Sequence, residues 1–181
     1  MKRYILTGAP SAGKTVLLRR LEAAGHAVVE EAATDIHVLA FARGITDPGK
    51  EPSFIADIVE LQCSRQHRAD AWPEDVVVFD RSPICTLALC EFAGLAPPAT
   101  LVAELDRIQR EAVYERGVFF VENLGFVAPT EVRRISFEGT LEFEAVHTEV
   151  YRRLGYELIS VPVGDLETRF QQVAGVLSTA I

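Results

Sequence analysis

Gly8-Ala9-Pro10-Ser11-Ala12-Gly13-Lys14-Thr15 decides how this chain folds. The octet fits the pattern G-x-x-x-x-G-K-[ST]. Tyr4-Ile5-Leu6-Thr7 precede it as a short apolar strand, and Val16-Leu17-Leu18 with Leu21 continue it at helical spacing. Strand, glycine turn and helix in that order make a cradle for phosphate. Glycine lets the backbone curl until successive N–H groups point at phosphate oxygens, at the positive end of the following helix. Gly8, Ser11, Ala12, Gly13, Lys14 and Thr15 are therefore expected to hold a nucleotide. Lys14 would reach the β- and γ-phosphates, and the Thr15 hydroxyl would face Mg²⁺. The expected cofactors are ATP and Mg²⁺.

Outward from the loop, short apolar runs alternate with longer amphipathic stretches, the pattern of an α/β fold with a parallel sheet. Strands are expected at 3–7, 27–29, 76–79, 117–121 and 157–161. Helices are expected at 14–24, 34–43, 53–71, 99–114, 139–154 and 166–178, with a further helix opening at Ser82-Pro83. Ser82 would cap that helix and Pro83 would take its first position. Val76-Val77-Val78-Phe79 is the clearest strand, since a continuous apolar run suits burial on both faces of a parallel sheet. Residues 44–52 and 122–135 read as irregular. The chain reads as a single domain over 1–181, with a small lid at about 122–138.

Ligands of open parallel sheets bind beyond the carboxyl ends of the strands. Strand two ends in Glu30-Glu31, and strand three ends in Asp80-Arg81-Ser82. Carboxylates and an arginine thus converge on the edge that carries the phosphate loop. Asp80 ends an apolar strand and is expected to hold Mg²⁺ together with Thr15. Arg81 offers a planar fork for the transferred phosphoryl group. Glu30 or Glu31 could take a proton from an acceptor hydroxyl, with Asp35 as a substitute. Arg133-Arg134 sit where a lid could close over phosphates: Arg133 as a nucleotide contact, Arg134 as a catalytic one. Gln62, Arg65 and Arg68 could border an acceptor site, and Val163-Gly164-Asp165 a base pocket. The four histidines form no local cluster and receive no role.

Composition excludes other classes. Apolar residues make 49% and charged residues 24% of the 181, ordinary for a globular domain. Net charge is −8, which argues against a nucleic-acid binder, because counterion displacement needs broad positive surface. Cys63, Cys85 and Cys90 show no metal-ligand spacing and read as reduced thiols of a cytoplasmic protein. The longest apolar stretch, 83–103, is broken by Glu91, Gly94 and Pro97-Pro98, so no membrane span is expected.

Taken together, several pieces resemble a known family. They are the phosphate loop, Val28-Val29-Glu30-Glu31-Ala32-Ala33, Phe79-Asp80-Arg81-Ser82, and Arg133-Arg134 followed by a helix and Gly155-Tyr156-Glu157-Leu158. They look like the small P-loop "AAA-type" ATPase/kinase family, which is related to the ribosylnicotinamide kinase domain of the bacterial NAD regulator. The chain is also similar to the deoxynucleoside kinases, which carry a glutamate base after strand two and Glu-Arg-Ser at the end of strand three. Here Asp80 replaces that second glutamate, and the lid is poorer in arginine. The resemblance implies a three-layer P-loop sandwich whose five parallel strands run in the order 2-3-1-4-5. It implies Glu31 as the base.

The expected function is an ATP-dependent kinase that passes the γ-phosphoryl group to a hydroxyl of a nucleoside-like small molecule. Lys14, Glu31, Asp80, Arg81 and Arg134 would carry the chemistry. The runner-up is a regulatory nucleotide switch with a protein or lipid partner. A guanine-specific switch is disfavoured, because Lys2 and Lys50, the lysines outside the loop, lack the Asn/Thr-Lys-x-Asp context. A purely non-catalytic binding module ranks last, since Glu31 and Asp80 are both present. The oligomeric state stays open, with a homodimer permitted.

Overall fold

The computed structural model describes residues 1–125 and 136–179. β1 (Lys2–Thr7) runs through the phosphate loop into α1 (Lys14–Ala23), then β2 (Ala27–Val29) and α2 (Ala32–Ala42). A 3₁₀ turn at Pro48–Lys50 precedes α3 (Phe54–Ala69), β3 (Val76–Asp80) and α4 (Pro83–Phe92). Next come α5 (Ala99–Glu111), β4 (Gly117–Val121), α6 (Phe137–Arg153), β5 (Glu157–Val161) and α7 (Leu166–Ser178). The five strands pair in parallel in the order β2-β3-β1-β4-β5, as the resemblance implies.

Period-two alternation along the central strands builds the three layers. Tyr4 and Leu6 of β1 face α1 and α7, where they pack with Leu17, Leu18, Leu21, Phe170 and Leu177. Ile5 faces the other way, with Val77, Phe79 and Val118, against Ile84 and Ala88 of α4, Ile108 of α5 and Tyr151 of α6. A third cluster ties α2 to α3, α4 and α5 through Ala32, Phe54, Ile58, Cys90 and Leu101. The phosphate loop and the ends of β2 and β3 stand at one edge because all the strands run the same way.

Helix ends depart from the sequence expectation in instructive ways. α2 starts at Ala32, two residues early, so Glu31 occupies its cap position without capping it. α6 starts at Phe137, inside the span expected for the lid, because the Ser136 side chain accepts a hydrogen bond from the Gly139 N–H at 3.1 Å. α5 stops at Glu111, where Ala112 turns left-handed (φ 48°). Pro83 takes the first position of α4 as expected, but the Ser82 hydroxyl makes no cap bond. It lies 3.1 Å from the Tyr151 hydroxyl instead.

Candidate active site

The loop is built on backbone that side chains would obstruct. Gly8 has φ +130°, and a Cβ there would sit 2.3 Å from the Val121 carbonyl oxygen. Ser11 (φ 66°) and Gly13 (φ 85°) also turn left-handed. Gly13 accepts from the Leu17 N–H at 3.0 Å and so opens α1. Lys14 is 6% exposed, and its ammonium donates to the Ala9 carbonyl at 2.6 Å, folding the side chain over its own loop. Ala12 is buried, whereas Thr15 is exposed on the first turn of α1.

Glu31 and Arg81 meet across the strand ends. The Arg81 Nε donates to the Glu31 Oε1 at 2.5 Å, and the Thr34 hydroxyl donates to Oε2 at 2.7 Å. Burial alone would raise the Glu31 pKa, but the charges of Arg81 and Lys14 and the bond from Thr34 hold it well below the usual carboxylate range. Arg81 adopts φ 70° just after β3 while its own N–H donates to the Leu6 carbonyl at 3.0 Å. A left-handed arginine costs about 1–3 kcal/mol, strain of the kind that clusters at functional sites. Asp80 closes β3 opposite Leu6 and is buried at 4% exposure. Glu30 points outward to Arg19, and Asp35 is held by Arg65. Of the three carboxylates, only Glu31 joins Arg81.

A pocket of about 140 Å³ opens beside this pair. Pro10, Glu31, Thr34, His37, Gln62 and Arg81 line it, with Cys85, Thr86 and Phe143 completing the wall. Gln62 accepts from the Thr86 hydroxyl at 3.0 Å, which turns its amide NH₂ group away from that bond. A larger cavity of about 420 Å³ lies between α2 and α3 on the other side of Phe54. It touches no phosphate-loop residue, whereas Pro10 lines the smaller one, which is therefore the candidate site. Thr34, His37, Cys85, Thr86 and Phe143 escape sequence reasoning. The α6 stripe Phe143, His147, Tyr151 has visible i, i+4 spacing, but spacing does not say which neighbour it meets.

Behind the pocket lies a buried polar cluster. The Tyr151 hydroxyl is 3.0 Å from the Cys85 thiol, which is 3.2 Å from the Thr7 hydroxyl. Burial pushes the Tyr151 phenol well up, so it stays protonated. His147 donates from Nδ1 to the Phe143 carbonyl at 3.0 Å. Burial, with Arg81 and Lys14 nearby, pushes its imidazole down to about 3. Tyr151→Phe removes a hydroxyl shared by the ends of β1, β3 and α4. A loss of about 1–2 kcal/mol is expected in urea unfolding, and an unchanged midpoint would show that the cluster carries no net energy.

Arg133 and Arg134 lie outside the described residues. Arg65 is engaged by Asp35 and the Glu30 carbonyl, and only Gln62 of the helical trio lines the pocket. Asp165 caps α7 by accepting from the Thr168 N–H at 2.9 Å. Arg169, absent from the sequence reading, touches the loop directly: 4% exposed, it donates to the Ala12 carbonyl at 2.8 Å.

A parallel sheet in this order, with a glycine loop opening the first helix, defines a P-loop NTPase fold. The chain belongs to the family described as "AAA domain", which matches residues 3–169. No curated protein matches it. Among solved structures, deoxyadenosine kinase from M. mycoides with bound dATP is similar at TM-score 0.63 and 12% identity. That match covers 97% of this chain and 99% of that one. NadR protein in complex with NAD and AMP-PNP is similar at TM-score 0.68 and 20% identity. Here 99% of this chain is covered but only 50% of NadR, so the chain corresponds in length to half of that protein. NadR protein in complex with NR aligns at TM-score 0.63 and 20% identity, covering 98% and 50%. No helix among the described residues is long and apolar enough to cross a membrane.

Proposed function

We propose that this protein is an ATP-dependent kinase acting on a hydroxyl of a nucleoside-like small molecule. The observation that carries the reading is the Glu31–Arg81 pair, set between the phosphate loop and a pocket walled by α2, α3, α4 and α6. A site for hydrolysis alone needs no such second chamber. Deoxyadenosine kinase of like fold holds dATP and NadR protein holds AMP-PNP, which supports a nucleotide on the loop here.

Gly8 to Thr15 would bind the triphosphate, with Lys14 swinging from the Ala9 carbonyl to the β- and γ-phosphates. Thr15 and Asp80 are hard oxygen donors, the set Mg²⁺ takes while keeping several waters. The ion would supply charge neutralisation across the phosphates. Glu31 is ionised and would accept the acceptor hydroxyl's proton as that oxygen bonds to the γ-phosphorus. The bond from the γ-phosphorus to the β–γ bridging oxygen breaks, and ADP leaves. A carboxylate held so low is a weak base in the resting enzyme. The incoming phosphates would draw Lys14 away and offset part of the Arg81 charge with their own, so the basicity of Glu31 would rise with nucleotide binding. Proton transfer can also be late in a loose phosphoryl-transfer transition state. Arg81 engages Glu31 through Nε, leaving its Nη groups to face the transferring oxygens. Thr34, His37, Gln62 and Thr86 provide the polar contacts for an acceptor with a ring to stack and oxygens or nitrogens to bond. Arg133 and Arg134 would close over the phosphates from the lid.

The test is ADP release from Mg-ATP with and without a panel of nucleosides that includes nicotinamide riboside. One acceptor should stimulate release many-fold and yield its phosphate ester. Lys14→Ala should abolish that stimulation, since the β- and γ-phosphates lose their charged contact, worth about 1.5–3 kcal/mol in binding alone. A slow rate that no acceptor changes would instead favour the nucleotide switch.

A further inference from the structure

Arg169 opens the second turn of α7, 155 residues beyond the loop lysine, and is 4% exposed. Its guanidinium spends each nitrogen on a different carbonyl. Nε donates to Pro162 at 2.9 Å, Nη2 to Glu122 at 2.8 Å and Nη1 to Ala12 at 2.8 Å. Those carbonyls belong to the segment after β5, the segment after β4, and the phosphate loop. Burial lowers the guanidinium's pKa, against the pull of Glu122, yet an arginine remains charged in proteins. A buried cation whose three nitrogens each meet an oriented carbonyl is a built device, since leaving them all unmet would be costly.

The consequence follows from the peptide plane. In a trans peptide the C=O of one residue and the N–H of the next point in opposite directions, and no peptide bond among the described residues is cis. Holding the Ala12 carbonyl back toward α7 therefore aims the Gly13 N–H the other way, into the concavity of the loop. Glycine at 13 suits this approach, because a Cβ there would lie 3.2 Å from the Arg169 Nη1, tighter than ordinary contact. We infer that Arg169 is a positioning residue that orients the Gly13 amide toward the nucleotide's phosphates and locks the loop to the ends of β4 and β5. It touches no phosphate itself. The inference rests on the proposal that the loop binds a nucleoside triphosphate.

The experiment titrates the full chain with Mg-AMP-PNP by calorimetry, as wild type, Arg169→Met and Arg169→Lys. Selective ¹⁵N-glycine labelling follows the Gly13 amide in parallel, with thermal melts to establish folding. Arg169→Met should weaken AMP-PNP binding about 10- to 100-fold, the range for one charged hydrogen bond to the loop and the geometry it holds. Arg169→Lys keeps the charge but reaches fewer carbonyls, so it should fall in between. The shift of the Gly13 amide on adding AMP-PNP should shrink in the same order. Binding within twofold of wild type in either folded variant overturns the inference, so Arg169→Lys decides it if Arg169→Met does not fold. Weakened binding with an unchanged Gly13 response also overturns it, because that is what a merely structural role produces. A wild-type chain that binds no AMP-PNP would instead sink the nucleotide reading beneath it.

Discussion

Glu31→Gln is expected to lower phosphoryl transfer by about 10²- to 10⁴-fold, the usual span for a lost general base. Mg-AMP-PNP affinity should stay near wild type, because Glu31 lines the pocket proposed for the acceptor and its amide analogue keeps the shape of the site. The assay is product formation with the acceptor that the nucleoside panel identifies. Transfer at the wild-type rate would remove Glu31 from the mechanism. The same variant carries a second signature. The folded pKa of Glu31 lies below its ordinary 4.5, toward about 2, because burial is outweighed by Arg81, Lys14 and the Thr34 bond. A depressed carboxylate stabilises the fold above its unfolded pKa, and that contribution is lost as pH falls through the folded one. Wild-type stability should therefore drop between about pH 4.5 and 2, and Glu31→Gln should flatten that part of the curve. A parallel acid profile in the two proteins would mean that the ion pair contributes nothing to folding.

Gly8→Ala should be strongly destabilising, more so than alanine at the other glycines described. The new methyl would be placed 2.3 Å from the Val121 carbonyl oxygen, backbone that cannot swing aside as a long side chain can. The φ of +130° adds strain that no L side chain relieves. Together these are expected to cost about 3 kcal/mol or more. Because Val121 ends β4 at the edge where the loop begins, accommodation would push the loop outward. Urea unfolding should register the loss, and nucleotide affinity should fall with it. A variant less than about 1 kcal/mol below wild type would mean that β4 and the loop separate easily. Gly25 has a comparable φ of +92° but open space around it. Alanine there should cost only the conformational strain, which separates the two contributions.

How far the sequence reads depends on the range of the interaction. The octet from Gly8 to Thr15, the strand before it and the helix after it are local, and each was legible from spacing alone. So were the five strands, most plainly Val76 to Phe79, where burial on both faces demands a continuous apolar run. The placing of Glu31 and Arg81 at one sheet edge followed from parallel topology, in which every strand end faces the same way. The sequence could not choose among Glu30, Glu31 and Asp35, since three nearby carboxylates differ only in direction. The tertiary structure separates them through their partners: Arg19 takes Glu30, Arg65 takes Asp35, and Arg81 takes Glu31. Ser82 read as a cap, but Tyr151 of a helix 69 residues away draws its hydroxyl inward. The pocket wall gathers Thr34, Gln62, Thr86 and Phe143 from four helices, and Arg169 reaches back to the first loop from the last. Local propensity and period determined which elements form. Which side chains meet across them was decided only when the layers packed, because contact between distant residues is a property of the closed chain.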